Sequence, residues 1–155
     1  MLKTPSFLNF EVLSKWNSNY NTPPIFSIYI FHGILEWIKK QGGINAMRST
    51  NEQKRKILYD AIDEFSDFYF CIADKQYRSN TTVPFRIGSK KGNVDLENKF
   101  LEEAKTQGMI QLNGHMTVGG IRVALYNSIT VDNLTTLVTF MKYFYKDNAV
   151  ISKKV

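Results

Sequence analysis

The chain holds one cysteine, two histidines and four prolines in 155 residues. A lone Cys71 can form no internal disulfide and fits a reducing compartment. Set between Phe70 and Ile72, it reads as core. Two histidines and one cysteine cannot supply zinc-ligand spacing. No run is long enough to cross a bilayer: the longest apolar stretch, residues 25–38, is interrupted by His32 and Glu36. The start, Met1-Leu2-Lys3-Thr4-Pro5, lacks the apolar core of a signal peptide, so a cytoplasmic protein without membrane contact is expected. Glycine loops of Walker or Rossmann type are absent, and neither Ser27 nor Ser79 has a nucleophile motif around it. Glu36 is the one carboxylate in an apolar run, and Lys39 or Lys40 is its expected partner.

What is present suits one ordinary domain with a real core. Apolar residues make up 43%, charged residues 22% and aromatics 14%. The formal charge is +6, but the lysines and arginines are interspersed with acids, apart from short clusters such as Lys90-Lys91 and Lys153-Lys154. A solvated face that welcomes a small anionic ligand is expected, and no nucleic-acid partner.

In chain order, residues 7–12 read as a short strand and Asn17-Ser18-Asn19 as a turn. Asn21-Thr22-Pro23-Pro24 opens a helix, with Thr22 as its N-cap. That helix runs to about Lys40 and stops at Gly42-Gly43. Leu35, Trp37 and Ile38 broaden its apolar surface, so it is expected to be mostly buried. A second helix covers residues 44–65, with Arg48, Glu52, Lys54, Arg55 and Asp60 on its polar face. Residues 68–72 and 82–87 read as strands around a loop at 74–80, and Pro84 argues for an edge or a bulge. A turn at 88–93 leads to a helix at 94–107 that ends at Gly108. Residues 109–112 read as a short strand, Gly114 as loop and 120–126 as a strand. The last helix runs from Thr130 to about Asp147, capped by Thr130 or Asn127, and the tail 151–155 is expected to fray. Its apolar stripe is Leu134, Leu137, Val138, Met141, Phe144 and Tyr145. Two helices followed by β–β–α–β–β–α predict an α+β fold, a mixed or antiparallel sheet covered by helices.

One stretch concentrates chemistry: Gly114-His115-Met116-Thr117-Val118-Gly119-Gly120-Ile121-Arg122-Val123-Ala124-Leu125-Tyr126-Asn127. Arg122 stands in an otherwise apolar strand, where an arginine is costly unless it meets an anion. Its planar fork suits carboxylate or phosphate. The paired glycines permit a close backbone approach. Two readings stand level: an anion-binding corner, or Arg122 paired with a structural carboxylate beside a glycine bulge.

Tyr20-Asn21-Thr22-Pro23-Pro24 with Phe26-Ser27-Ile28-Tyr29, then Val83-Pro84-Phe85-Arg86-Ile87-Gly88, then the 114–127 stretch together resemble the phosphoserine aminotransferase family, pyridoxal-phosphate (PLP) enzymes of fold type I. The resemblance runs from about Leu8 to about Tyr145. Family members are much longer, so the chain resembles their C-terminal part: residues 1–42 a remnant of the large-domain end with a spine helix, residues 43–155 the small domain.

The resemblance carries roles with it. In the family the asparagine-threonine before the prolines reaches the PLP phosphate of the other subunit, which implies cofactor binding by Asn21 and Thr22. The family's histidine after the glycine and arginine after the glycine pair grip substrate, which implies substrate binding by His115 and Arg122. Met116 stands where the family has arginine, which implies altered affinity or choice of substrate. Arg78-Ser79 matches a family pair and reads as structural or rim, although Thr82 replaces the usual asparagine. His32 replaces a small residue and reads as a buried, satisfied histidine. The family reaction is amino transfer from glutamate to 3-phosphohydroxypyruvate, giving phosphoserine and 2-oxoglutarate in serine biosynthesis. The lysine that holds PLP, the acid at its pyridine nitrogen and its stacked aromatic lie N-terminal to the matched region. The chain is therefore expected to be inactive alone, working as a homodimer or as a dimer with a full-length family member. The alternatives are a non-catalytic dimerisation partner of such an enzyme, and a fragment of one. Without the large domain, Tyr29 and Trp37 are expected in an exposed apolar patch.

Overall fold

The computed structural model describes residues 4–152, with side-chain environments through residue 149. The expected fraying of 151–155 lies largely outside this range. The chain divides into two compact units, one ending at Gly43 and one beginning at Ile44.

The first unit is helical. A 3₁₀ turn, Ser6–Leu8, precedes α1, Phe10–Lys15. The strand expected at 7–12 is thus a helix. Asn9 Oδ1 accepts from Glu11 N at 3.0 Å and Val12 N at 3.4 Å, capping the first turn before an extended conformation can form. The turn after α1 is tight, with Asn17 and Ser18 left-handed at φ 49° and 62°. The next helix, α2, spans Ile25–Lys40. Thr22 does not cap it; Pro24 occupies that position with no side-chain bond. The reason is the proline pair: the helical region is disfavoured for a residue before proline, Thr22 and Pro23 each precede one, and the helix starts at Ile25. Gly42, at φ 95°, ends it. No residue of α2 is buried, contrary to the burial expected from its apolar surface and in line with the exposed patch expected at Tyr29 and Trp37; Phe26, Tyr29 and Trp37 are 77%, 70% and 41% exposed. Apolar content shows that a surface needs covering, and does not show that the chain itself supplies the cover. His32 is likewise exposed, and none of the ion pairs among the described residues involves Glu36.

The second unit is an antiparallel sheet with helices on one face. α3, Gly43–Glu64, leads to β1, Tyr69–Cys71, and β2, Thr82–Ile87. α4, Val94–Thr106, is followed by β3, Asn113–His115, β4, Gly119–Ala124, and α5, Val131–Ser152. The strand order is β1-β2-β4-β3. The predicted α+β order holds. Pro84 is not at an edge: it lies in an interior strand, opposite Arg122. Its carbonyl accepts from Ile72 N at 3.5 Å, it has no N–H to return, and β1 stops at Cys71. Cys71 is half-buried against the core. Residues 109–112 are not a strand. Gln111 is left-handed at φ 61°, and β3 starts beyond it, including the glycine expected in a loop.

Alternation sets the core. Val83, Phe85 and Ile87 of β2 and Ile121 and Val123 of β4 point inward. Phe100 of α4 is the hub, with ring centroids of Phe140, Phe144 and Phe85 at 4.9, 5.1 and 6.1 Å. Tyr69 is buried and donates to Met141 O at 2.9 Å, and burial pushes its phenol pKa up. Of the α5 stripe, Leu134, Leu137, Met141 and Phe144 are buried, with Phe140 added and Val138 and Tyr145 at the margin. Thr130 caps α5, its Oγ1 accepting from Asn133 N at 3.2 Å.

Candidate functional site

Arg122 projects from the solvent side of β4, between the inward Ile121 and Val123. Its backbone N donates to Leu112 O at 2.8 Å, and among the described residues its side chain has no hydrogen bond or ion pair. None of the described carboxylates pairs with its guanidinium. Arg122 also lines a groove of about 530 Å³ with Met109, Leu112, Tyr126, Asn133 and Leu137.

The glycines beside it serve a different arginine. Gly119 and Gly120 are left-handed at φ 72° and 76°. A Cβ on Gly120 would fall 2.7 Å from Arg86 Cδ and 2.8 Å from Phe85 O. The pairing of β4 with β2 and β3 stays in step, without a bulge. The close approach inferred from the glycine pair is real, and its object is the Arg86 side chain. Arg86 Nε and Nη2 donate to the two Glu97 oxygens at 2.7 and 3.1 Å, and Nη1 donates to Val118 O at 2.7 Å. Glu97 Oε1 also accepts from Ile87 N at 3.2 Å. Arg86 thus ties α4 to the β3–β4 hairpin. Gly114, too, must lack a side chain, because a Cβ there would meet Gly119 O. The sequence reading missed this clamp; its available signal was an arginine in the apolar run Val83 to Ile87.

His115 ends β3 on the same hairpin, opposite Gly119, and is exposed. Its Nδ1 accepts from Thr117 N at 3.2 Å. In the neutral ring the proton then belongs on Nε2, leaving an outward donor. Met116, at the hairpin tip, is 99% exposed and adds no charge. One hairpin therefore carries an unpaired guanidinium and an imidazole donor, both suited to a small anion.

Asn21 and Thr22 belong to the first unit. Both are exposed, and neither side chain has an internal partner among the described residues. An amide and a hydroxyl left free in this way fit contact with a phosphate oxygen. Lys54, the one buried lysine among the described residues, was expected on a polar face; its Nζ donates to Tyr126 O at 2.9 Å and Ile129 O at 3.1 Å. Burial lowers its pKa, but its amine closes the turn after β4. Arg78 is structural, as read: Nη1 and Nη2 grip Asp63 at 2.9 and 2.6 Å. No cluster of possible metal ligands occurs among the described residues, and no helix there is long and apolar enough to cross a membrane.

The sequence model of the class-V aminotransferase family matches residues 1–137. The chain is 48% identical to the phosphoserine aminotransferase of Drosophila melanogaster over 145 residues, covering 94% of this chain and 40% of that protein. Among solved structures, the phosphoserine aminotransferase of Bacillus circulans subsp. alkalophilus aligns at a TM-score of 0.85 and 35% identity, covering 94% of this chain and 39% of that one. The PLP-bound enzyme of Trichomonas vaginalis aligns at 0.80 and 33% identity, covering 90% of this chain and 39% of that one. The chain spans about two-fifths of the length of these relatives.

Proposed function

The chain belongs to the class-V aminotransferase family, and from that premise we propose that it is the C-terminal, substrate-gripping part of a phosphoserine aminotransferase. In this reading residues 1–42 are the large-domain end with its spine helix and residues 43–155 the small domain. The reaction served is amino transfer from glutamate to 3-phosphohydroxypyruvate, in the cytoplasm, as a dimer with a second copy or a full-length subunit.

The observation that carries the reading is Arg122: an exposed guanidinium with no counter-ion among the described residues, in a hairpin held by a buried clamp. Arg122 offers its fork to a substrate carboxylate, and His115 donates from Nε2 to a second oxygen. Asn21 and Thr22 donate to the PLP phosphate of the partner subunit. PLP, when bound, supplies the electron sink that amino transfer requires. Met116 removes one cation from the grip, so a doubly anionic substrate is held more weakly. The exposed apolar surface of α2 supports the dimeric part of the reading.

The isolated chain supplies these contacts without the lysine chemistry, and is inactive alone. A transamination assay with glutamate, 3-phosphohydroxypyruvate and added PLP tests this. Turnover no greater than that of free PLP is expected, and turnover well above it would overturn the claim.

A further inference from the structure

The second half of β4 lacks a strand on one side. β3 pairs with β4 from Gly119 to Ile121, and Leu112 O accepts from Arg122 N at 2.8 Å. Gln111, left-handed at φ 61°, then turns the chain away from β4. On the other side β2 pairs as far as Ala124. Leu125 N donates to Thr81 O, so Ala124, one residue earlier, has its N–H and C=O turned away from β2 and toward the side that β3 does not cover. An N–H on a bare strand edge is a ready donor.

The groove of about 530 Å³ fills this gap, with the 107–112 segment as one wall and the start of α5 as the other. Its size lies within the range of about 300–1,000 Å³ found for small-molecule sites. The floor is Leu112, Val123, Leu134 and Leu137, each at most 9% exposed. Ile110 and Tyr126 stand at the rim, 65% and 68% exposed. Of the described residues that line the groove, Arg122 alone is charged, and its guanidinium has no partner among them.

This inventory decides what fits. A cation with no acid beside it attracts anions and repels amines. A carboxylate matches the planar fork with its two oxygens, and Ala124 N–H is a further donor to it. The floor and rim favour hydrocarbon. A second charge laid over Leu134 and Leu137 would be desolvated without a partner. The fitting ligand has one carboxylate and an apolar tail.

We propose that this groove binds small apolar monocarboxylates, with Arg122 and Ala124 N–H on the carboxylate and Ile110 and Tyr126 closing over the tail. The proposal rests on the reading of Arg122 as an anion grip and adds the class of ligand. Its residues all lie between 107 and 137, within the second unit, and neither PLP nor amino transfer enters its test.

The test is an NMR titration of the full chain with 4-methylpentanoate at neutral pH, following the methyl resonances of Leu134 and Leu137. Saturable shifts are expected. Acetate, which lacks the tail, and 4-methylpentanamide, which lacks the charge, should each bind at least about tenfold more weakly at matched ionic strength. Arg122→Gln should weaken 4-methylpentanoate about tenfold, and Ile110→Ser about threefold. Both side chains are exposed, so neither variant removes core packing. Absent shifts, an amide that binds as well as the acid, or unchanged affinity in either variant would overturn the proposal. Acetate binding as tightly as 4-methylpentanoate and lost in Arg122→Gln would also overturn it, while leaving Arg122 as the bare carboxylate grip of the function proposed above.

Discussion

Removal of the Glu97 carboxylate tests the clamp that fixes the substrate hairpin. Glu97 is 5% exposed and takes three hydrogen bonds, two from Arg86 and one from Ile87 N. Glu97→Ala leaves a guanidinium buried without its counter-ion and a strand N–H without an acceptor. Breaking a buried pair from one side costs about 3–5 kcal/mol. Against a total stability of about 5–15 kcal/mol, that is a large share. At about 2–4 °C per kcal/mol for a chain of this size, the melting temperature should fall by about 6–20 °C. Replacing both partners by apolar groups removes the stranded charge, so Arg86→Met with Glu97→Leu should cost less than Glu97→Ala. A double-mutant cycle by urea unfolding measures the coupling. Amide exchange should rise first at Val118 and Gly119, where Arg86 holds the hairpin. A Glu97→Ala loss under about 1 kcal/mol, or a cycle without coupling, would refute the clamp.

Four further outcomes follow from the same structure. Gly120→Ala should destabilise by more than about 1 kcal/mol in urea unfolding, because φ 76° and Arg86 Cδ at 2.7 Å both oppose a methyl group; Gly33→Ala, mid-helix with nothing within 4 Å, should stabilise by about 0.5–1 kcal/mol. Arg122→Gln should leave unfolding within about 0.5 kcal/mol of the parent, since the arginine is exposed and unpaired; a larger loss would mark it as structural. Burial lowers the Lys54 pKa below the ordinary 10.5, so between the folded value and 10.5 the unfolded chain binds more protons. The Lys54 contribution to stability therefore rises with pH across that window, and Lys54→Met should abolish that rise in unfolding measured against pH.

Where local rules decide structure, the sequence was readable. The stops at Gly42 and Gly108, the Asn93 turn into α4 and the apolar stripe of α5 are local, and the elements end where those residues say. The alternation of Val83, Phe85 and Ile87 gave β2 its inner face. The misreadings have physical causes. Asn9 offers a cap whose energy outweighs the strand propensity of Phe10 and Val12. Gln111 takes a left-handed turn that shifts the edge strand to Asn113–His115. Lys54 is charged and spaced as if for solvent, yet its partners lie 72 and 75 residues away, beyond any local pattern. For the site, Arg122 and His115 stood out by their setting and share one hairpin. Arg86 did not, because its meaning depends on Glu97 and on glycines from another strand.

The most direct test of the account is to incubate the chain with PLP, reduce with borohydride and map labelled lysines by mass spectrometry. The account predicts no lysine labelled stoichiometrically and Lys54 unlabelled, its amine being held by two carbonyls. One lysine labelled to completion, with a matching change in visible absorbance, would contradict it and make the chain a small transaminase in its own right.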